Sequence, residues 1–274
     1  MEQISPRVYT ETKRRGANTS IIVTSEGVVL IDAPHKPSDA MKWREEVVQK
    51  GEVRYLINTE HHMDHCVGDY FFSGTVVAHE ETRERIKSTP LEQIKERILQ
   101  IDPGAKSLIA DYQLRVPTIA FSERMTLYVG DRTFHLIHLP GHTSGEIAIH
   151  VPEERVLFTG DNIFHKVQAF LHEAVPFQWL ESLKKIEGID VDVIVPGHGE
   201  PCDRSYVPEM ASFIQEWIDA ARAAIKQGLS KEEAMEKISF AGRYPMDAEM
   251  QDMAATVQRW NVERLYNLLT APPD

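Results

Sequence analysis

The sequence predicts an α/β fold that ends in a helical C-terminal extension. Through about residue 204, short apolar runs typical of buried strands alternate with amphipathic helical patterns. Beyond that point, strand-forming residues become rare and helical periodicity prevails. We therefore expect a domain over residues 1–204, followed by a helical extension over residues 205–274 that packs on it.

The first half of the predicted domain begins with a pair of strands. Residues 18–33, NTSIIVTSEGVVLIDA, contain two apolar runs around a Glu26-Gly27 turn. Residues 36–51 start next to a proline, carry apolar residues at helical spacing and end at a glycine, which predicts a helix. The remaining elements of this half are buried strands at 54–59 and 75–80 and a surface helix within 80–101.

The second half of the predicted domain contains two hairpins. Residues 125–139 form one pattern around Gly130-Asp131, and residues 146–161 form the other. A helix at 179–186 and a strand at 192–195 complete the domain. The extension has helical periodicity at 206–227 and 247–269, and the capping-box spacing of Ser230 and Glu233 starts a short helix between them.

Composition excludes several classes of partner. The formal net charge of −12 is unfavourable for binding nucleic acid or an anionic membrane surface. No apolar run approaches the roughly 20 residues needed to span a membrane. The N-terminus lacks the apolar core of a secretory signal and the chain has only two cysteines, so we expect a cytoplasmic protein. A small-molecule substrate is the expected partner, and assembly into a homo-oligomer is left open.

Four clusters of polar residues begin where predicted strands end. Loops at strand ends are where α/β scaffolds place their ligands, and the glycines in three of the clusters allow tight turns that direct one side chain into a shared pocket. The clusters are Glu60-His61-His62-Met63-Asp64-His65, Gly141-His142-Thr143, Gly160-Asp161 and Gly197-His198-Gly199.

Imidazole and carboxylate groups together favour zinc, iron or manganese. Seven candidate ligands are too many for one tetrahedral ion and suit two ions that share a bridging carboxylate. A pair of divalent ions lowers the pKa of bound water and polarises a carbonyl group, which predicts hydrolysis by a metal-bound hydroxide.

In these four clusters, the sequence resembles the metallo-β-lactamase-fold superfamily. The family motif H-x-H-x-D-H aligns with Glu60-x-His62-x-Asp64-His65, and the later family ligands align with His142 in LPGHTSGEI, Asp161 in FTGDNIF and His198 in VPGHGEP. The resemblance covers roughly residues 18 to 200 and includes Asp32, which matches an early aspartate that usually supports the ligands. It implies a four-layer αβ/βα sandwich with metals at one edge of two sheets, and makes residues 1–204 the catalytic domain.

The resemblance also implies a role for each candidate ligand. Glu60, His62 and His142 would hold the first metal ion. Asp64, His65 and His198 would hold the second, and Asp161 would bridge the two. Asp64 would in addition orient the nucleophile or relay its proton, which makes it the predicted catalytic residue.

Glu60 departs from the family pattern, since a histidine is expected at that position. One interpretation is ligation by the carboxylate. The others are a weak first metal position, or a carboxylate that only hydrogen-bonds a neighbour. Ionised Glu60, Asp64 and Asp161 place three negative charges against the four positive charges of two divalent ions. Zinc is the expected metal, and the added carboxylate also admits iron or manganese because these are harder ions.

Other residues near the motifs have less specific signals. His172 is a candidate for contact with the substrate, and its alternative is a solvated position in a loop. Tyr244 is a second candidate, and its alternative is a capping or surface role. His61 is expected to point away from the metals, and Cys66 is expected to be a small buried packing residue.

The leading function is therefore a metal-dependent hydrolase acting on an ester, lactone, thioester or amide of a small molecule. One alternative is an iron-dependent redox enzyme on the same fold, which the added carboxylate suits. Another is a non-catalytic member whose first metal position is degraded. The sequence does not specify the substrate, the metal, the occupancy of both positions, the oligomeric state or the role of the extension.

Overall fold

Two mixed β-sheets face each other, and helices cover both outer surfaces, so the chain forms the four-layer α/β sandwich that the family resemblance implies. The structure, a computed structural model, describes residues 1–272, with the side chains of 248 and 249 excepted. The last two residues of the predicted extension lie outside the described residues.

The first sheet follows chain order. Its strands are β1 (Glu2–Ser5), β2 (Val8–Glu11), β3 (Thr19–Thr24), β4 (Gly27–Ile31), β5 (Val53–Ile57), β6 (Thr75–His79) and β7 (Ile119–Phe121). The first four pair antiparallel, whereas β4 to β7 pair parallel. The predicted 18–33 hairpin is confirmed as β3 and β4, and helices connect the parallel strands as crossovers require.

The second sheet has five strands and continues into a small strand pair. In spatial order it contains β13 (Val193–Val195), β11 (Val156–Phe158), β10 (Ile147–Val151), β9 (Arg132–His138) and β8 (Arg124–Val129). β12 (Phe164–His165) pairs parallel with β14 (His198–Gly199). Both predicted hairpins are confirmed, as β8–β9 and β10–β11.

Eight α-helices connect and cover the sheets in the described part of the chain. They are α1 (Pro37–Lys50), α2 (Met63–Cys66), α3 (Glu80–Ser88), α4 (Leu91–Ile101), α5 (Pro176–Glu187), α6 (Val207–Lys226), α7 (Lys231–Lys237) and α8 (Ala254–Thr270). None of the helices in residues 1–272 combines the length and apolar character needed to cross a membrane.

The hydrophobic core lies in layers that match this architecture. Between the sheets, inward side chains such as Ile22 and Val29 pack with Phe134 and Leu136. Trp43 of α1 is fully buried on the outer face of the first sheet. The outer face of the second sheet is covered by α5 and α6 in a cluster that includes Trp179, Phe213 and Trp217, all of which are buried.

The structure differs from the sequence prediction in several places. The single helix expected within 80–101 is two helices, α3 and α4, because Pro90 lacks a backbone N–H donor and disfavours helical geometry in the residue before it. The short helix α2 was not predicted, and neither were strands β1, β2, β7, β12 and β14, since runs of two to four residues carry little periodic signal. The large apolar ring of Trp260 in α8 is 38% exposed.

The helical extension is anchored by specific contacts. The capping box predicted at Ser230 and Glu233 is present, with both reciprocal hydrogen bonds formed. Buried residues of α6 and α8 join the same apolar cluster as Leu157 of β11 and Ile194 of β13. The extension therefore shares an apolar cluster with the second sheet.

Candidate metal centre

Four loops converge at one edge of the sandwich, each following a strand. The loop after β5 and the short helix α2 that follows it carry the residues of the first motif, and the turn between β9 and β10 carries His142. Asp161 lies in a short 3-10 turn after β11, and His198 follows β13. The structure thus brings the four sequence clusters together, and the seven predicted ligands belong to groups whose donor atoms lie within 4.8 Å of one another.

The first group consists of Glu60, His62 and His142. The Nδ1 atom of His62 lies 2.7 Å from Oε1 of Glu60 and 3.1 Å from Nε2 of His142. Oε1 of Glu60 and Nε2 of His142 are 3.8 Å apart. Glu60 and His142 are almost completely buried. Three donor atoms on three side chains therefore face one point.

The second group consists of Asp64, His65 and His198. Nε2 of His198 lies 3.4 Å from Oδ2 of Asp64. Asp161 lies between the groups: its Oδ1 is 3.3 Å from Nε2 of His65, and its Oδ2 is 3.5 Å from Nε2 of His198. The same Oδ2 is 3.5 Å from Nε2 of His142 in the first group. Asp161 thus has atoms near both groups.

These separations fit a divalent metal ion at each group. Two ligands bound tetrahedrally at about 2.1 Å lie about 3.4 Å apart, which is close to the spacing of most donor pairs here. In addition, Nε2 of His65 and Oδ1 of Asp161 are buried and lack a hydrogen-bond partner among the described residues. Orphaned polar atoms are costly to bury, so donors of this type directed at a shared point indicate a candidate metal-binding cluster.

Glu60 is held in place by its own loop. Its Oε2 accepts hydrogen bonds from the backbone N–H groups of His61 and His62, at 2.9 and 3.0 Å. The other oxygen, Oε1, is left to face the group. Burial raises the pKa of this carboxyl, but the neighbouring His62 and His65 outweigh it and hold the pKa at about 2. Glu60 is therefore a fixed, ionised carboxylate at a fully buried position.

Neighbouring residues orient the other candidate ligands. Asp32 accepts hydrogen bonds from Thr59 and lies 2.9 Å from Nδ1 of His65, which directs Nε2 of that ring to the centre. This is the supporting position that the family resemblance implies for Asp32. On the other side, Nδ1 of His142 lies 2.6 Å from the carbonyl oxygen of Phe170 and donates to it, leaving Nε2 free to bind.

The position of Asp161 depends on two glycines and on a buried glutamate. Glu146, fully buried, accepts a hydrogen bond from the backbone N–H of Asp161 at 3.0 Å. Gly160 has φ +51, and a Cβ there would lie 2.1 Å from Oε1 of Glu146. A Cβ at Gly197 would lie 1.8 Å from Oδ1 of Asp161. Glycine is therefore required at both positions, as the sequence pattern indicates.

The sequence analysis did not identify Glu173, which lies beside the first motif. Its Oε2 is 3.3 Å from Nε2 of His61 and also pairs with Arg85, while its Oε1 is 3.9 Å from Nε2 of His62. The neighbouring imidazole rings of His61 and His62 hold the pKa of Glu173 below its usual range. Nε2 of His61 thus faces Glu173 and Arg85, whereas its Nδ1 lies 3.6 Å from Oε2 of Glu60, and His61, His62 and Glu173 form a further cluster of possible ligands beside the first group. Glu173 lies far from the first motif along the chain, in a loop without a motif of its own, so the sequence gives no signal that places it beside His61.

The two predicted substrate contacts have different surroundings. His172 stacks on His62 with ring centroids 5.0 Å apart and lines the cavity above the cluster. Tyr244 does not line that cavity: its ring packs on Phe213 and its hydroxyl donates to Glu209. Substrate contact by Tyr244 stays a prediction, and its surroundings in the structure are those of a packing residue of the extension.

A cavity of about 560 Å³ opens over the cluster. The candidate ligands His62, Asp64, His142, Asp161 and His198 form part of its surface. The extension contributes further lining residues, which are Met250, Met253 and Trp260. The part of the chain whose role the sequence leaves open therefore forms part of the wall around the candidate metal centre.

The extension also supports the loop that orients His142. Asn261 of α8 is fully buried; its Oδ1 accepts from the Leu171 N–H at 2.6 Å, and its Nδ2 donates to the Ala169 carbonyl at 2.8 Å. These two bonds flank Phe170, whose carbonyl oxygen contacts His142. Asn261 therefore links the extension to the candidate metal centre.

Replacing Asn261 with leucine should destabilise the protein by about 2–4 kcal/mol, because the Leu171 N–H and the Ala169 carbonyl lose their buried partners. Denaturant unfolding measures the change. The matched control is Asn267→Leu on the exposed face of the same helix, expected within about 0.5 kcal/mol of wild type. Equal stability of the two variants would contradict this account of Asn261.

With this geometry established, comparison with known proteins identifies the family. The model of the metallo-beta-lactamase superfamily matches residues 12–198, which contain all seven predicted ligands. The chain belongs to this superfamily. Its relatives include a hydroxyacylglutathione hydrolase of Brucella anthropi, 27% identical over 238 residues that cover 83% of this chain and 76% of that protein.

An acyl-coenzyme A thioesterase of Bos taurus, MBLAC2, is 26% identical over 155 residues, covering 52% of this chain and 54% of the thioesterase. The match thus spans about half the length of that relative. Among solved structures, a metallo-beta-lactamase family protein of Thermus thermophilus aligns with a TM-score of 0.69 at 18% identity, over 98% of this chain and 96% of that one. This superposition supports the fold over nearly the whole chain, including the helical extension.

Proposed function

We propose that this superfamily member is a metal-dependent hydrolase that cleaves an ester, lactone, thioester or amide bond of a small molecule. The observation that carries the proposal is the convergence of seven donor side chains in two groups that share Asp161. Divalent ions bound there would polarise a carbonyl oxygen and lower the pKa of a water molecule. The named activities of the relatives, acyl-coenzyme A thioesterase and hydroxyacylglutathione hydrolase, make thioesters the first substrates to test.

Each group of residues has a separate task in this proposal. Glu60, His62 and His142 hold the first ion, and Asp64, His65 and His198 hold the second, with Asp161 between them. Asp64 is partly exposed to the cavity, unlike the fully buried His65. Its carboxylate can therefore also accept a hydrogen bond from the attacking water and direct the water toward the substrate carbonyl.

The carboxylate of Glu60 sets the charge of the centre. Three ionised carboxylates against two divalent ions leave one net positive charge, whereas a neutral histidine at position 60 would leave two. The lower charge weakens Lewis acidity and makes the first group more favourable for a harder ion. Zinc remains the expected metal, with iron or manganese as the alternatives that Glu60 admits.

The function is tested by removing metal with a chelator and reloading separate samples with zinc, manganese or iron under anaerobic conditions. We expect at least one reloaded form to hydrolyse a member of a panel of thioesters, aryl esters, lactones and β-lactams, and the chelated sample to be inactive. Two bound ions without hydrolysis of any class would contradict the proposal. Dioxygen uptake by the iron form alone would favour the redox alternative.

A further inference from the structure

The cavity over the candidate metal centre has a cationic side chain without a carboxylate partner in the described part of the chain. Two arginines line the cavity, Arg15 and Arg97. Arg15 pairs with Asp252 at 3.3 Å. Among the side chains that the structure describes, which exclude those of 248 and 249, no carboxylate oxygen lies within 4.0 Å of the guanidinium of Arg97. Arg97 therefore presents an uncompensated positive charge to the cavity.

The sequence of α4 explains why Arg97 is unpaired. Side chains three and four positions apart on a helix are neighbours, and those around Arg97 are Gln93, Ile94, Gln100 and Ile101. None of these is acidic. By contrast, Lys95 on the same helix pairs with Glu92 at 3.6 Å. The helix α4 thus supplies no negative charge next to Arg97.

That face of α4 belongs to the cavity wall. Arg97, Gln100 and Ile101, at helical spacing, all line the cavity. The buried residues Ile94 and Ile98 instead pack into the apolar cluster behind the helix. A guanidinium and a carboxamide, both hydrogen-bond donors, therefore lie one turn apart on the cavity side of α4.

The extension supplies an apolar surface in the same cavity. Trp260 is one of the few large apolar side chains with substantial exposure, at 38%, and Met250 and Met253 line the cavity with it. The ring of Trp260 lies 5.6 Å from that of His172, which in turn stacks on His62. Aromatic rings thus run continuously from a candidate ligand to the exposed indole.

We propose that Arg97 is a specificity-determining residue that binds an anionic group of the substrate, while Trp260 and the two methionines pack on the apolar body of the same molecule. The substrate class is a carbonyl compound with an aromatic or bulky aliphatic body and a carboxylate, sulfonate or phosphate group away from the reacting bond. The inference rests on the proposed function, since it takes the candidate metal centre to be the reacting end of the cavity. Charge-assisted hydrogen bonds of this kind are stronger than neutral ones and carry orientation as well as affinity.

A binding measurement tests this without turnover. The probes are phenylpropanesulfonate and its neutral counterpart phenylpropyl methyl sulfone, titrated calorimetrically into zinc-loaded protein. We expect the wild type to bind the sulfonate about tenfold more tightly than the sulfone. Arg97→Met should abolish this preference, and Arg97→Lys should keep part of it because the charge remains. Trp260→Leu should weaken binding of both probes to a similar extent.

The matched control is Lys95→Met, which removes one positive charge from the same helix outside the cavity. The preference for the sulfonate should survive this change. Equal binding of the two probes by the wild type would overturn the inference. A preference for the sulfonate that persists in Arg97→Met would also overturn it, because the anion would then bind at the metals. Loss of the preference in Lys95→Met as well would do the same, because the effect would then come from the overall charge of the protein.

The result is separable from that of the hydrolysis panel. A preference that depends on Arg97, in a protein that hydrolyses nothing, would support the anion site and contradict the proposed function. Hydrolysis without a binding preference for the anionic probe would support the proposed function and contradict the anion site.

Discussion

Replacing Asp161 with asparagine is expected to remove most bound metal and to reduce hydrolysis about a thousandfold. Asp161 is the side chain with atoms 3.3 Å from Nε2 of His65 and 3.5 Å from Nε2 of both His142 and His198. Changes in groups that merely support ligands cost about 10- to 100-fold in metal affinity or activity, so loss of an anion shared by two ions should cost more.

Asparagine preserves the shape of the Asp161 side chain, which makes the experiment informative. The charge is lost, but the backbone N–H can still donate to Glu146 and the flanking glycines are unchanged. Metal content per chain and kcat/KM on the best substrate of the panel are the measurements. Asp192→Asn, at an exposed position, controls for the change in net charge and should leave both values unchanged. Unaltered metal content in Asp161→Asn would contradict the bridging role.

Replacing Glu60 with glutamine should remove the ion of the first group while leaving that of the second. Oε2 of Glu60 accepts from two backbone N–H groups, and Oε1 faces His62 and His142. Glutamine has one oxygen, so it can either accept these bonds or face the group, but cannot do both as a carboxylate does. The amide is also a weaker and uncharged ligand. We expect about a hundredfold loss of hydrolysis, because one of the two ions that act on the carbonyl is missing.

Glu60→His provides the complementary variant. An imidazole can bind zinc, so the metal content should stay at two ions per chain when zinc is supplied. Loading with manganese should become less complete than in the wild type, since the hard carboxylate ligand is gone. Equal manganese loading of Glu60→His and wild type would contradict the role assigned to this carboxylate in metal selection.

The sequence was sufficient to predict the convergence of the candidate ligands because each lies in a short motif at the end of a strand. Asp161 and His198 carry flanking glycines that mark the turns, and β5 ends shortly before Glu60. The alternation of apolar runs similarly identifies most strands of both sheets, because a buried strand and a helix differ in period. The predictions of the strands and of the candidate ligands therefore depend on patterns within short segments of the sequence.

Features that depend on contacts between distant segments could not be predicted in this way. Glu173 reaches His61 from a loop without a motif, and Asn261 reaches the loop around Phe170 from the last helix. The sequence around Arg97 is typical of an exposed position on a helix. Only its place in the cavity lining separates Arg97 from other surface arginines. These residues acquire their roles from packing, which a single sequence does not specify.

Tyr244 shows the reverse situation. The sequence offers Tyr244 as a candidate for contact with the substrate, whereas the structure buries its ring against Phe213. Aromatic side chains bury a large apolar area, and a hydroxyl that finds a partner such as Glu209 removes the cost of burying it. The packing of the extension thus accounts for the position of Tyr244 without a contact to the substrate.

The central claim is that Glu60 is a ligand in a centre of two metal ions. The most direct measurement is the metal content per folded chain of the wild type and of Glu60→Gln, determined by mass spectrometry of both proteins after identical zinc loading and removal of free metal. We predict two ions for the wild type and one for the variant. Two ions in both proteins would show that Glu60 only hydrogen-bonds its own loop and His62, and would contradict the claim.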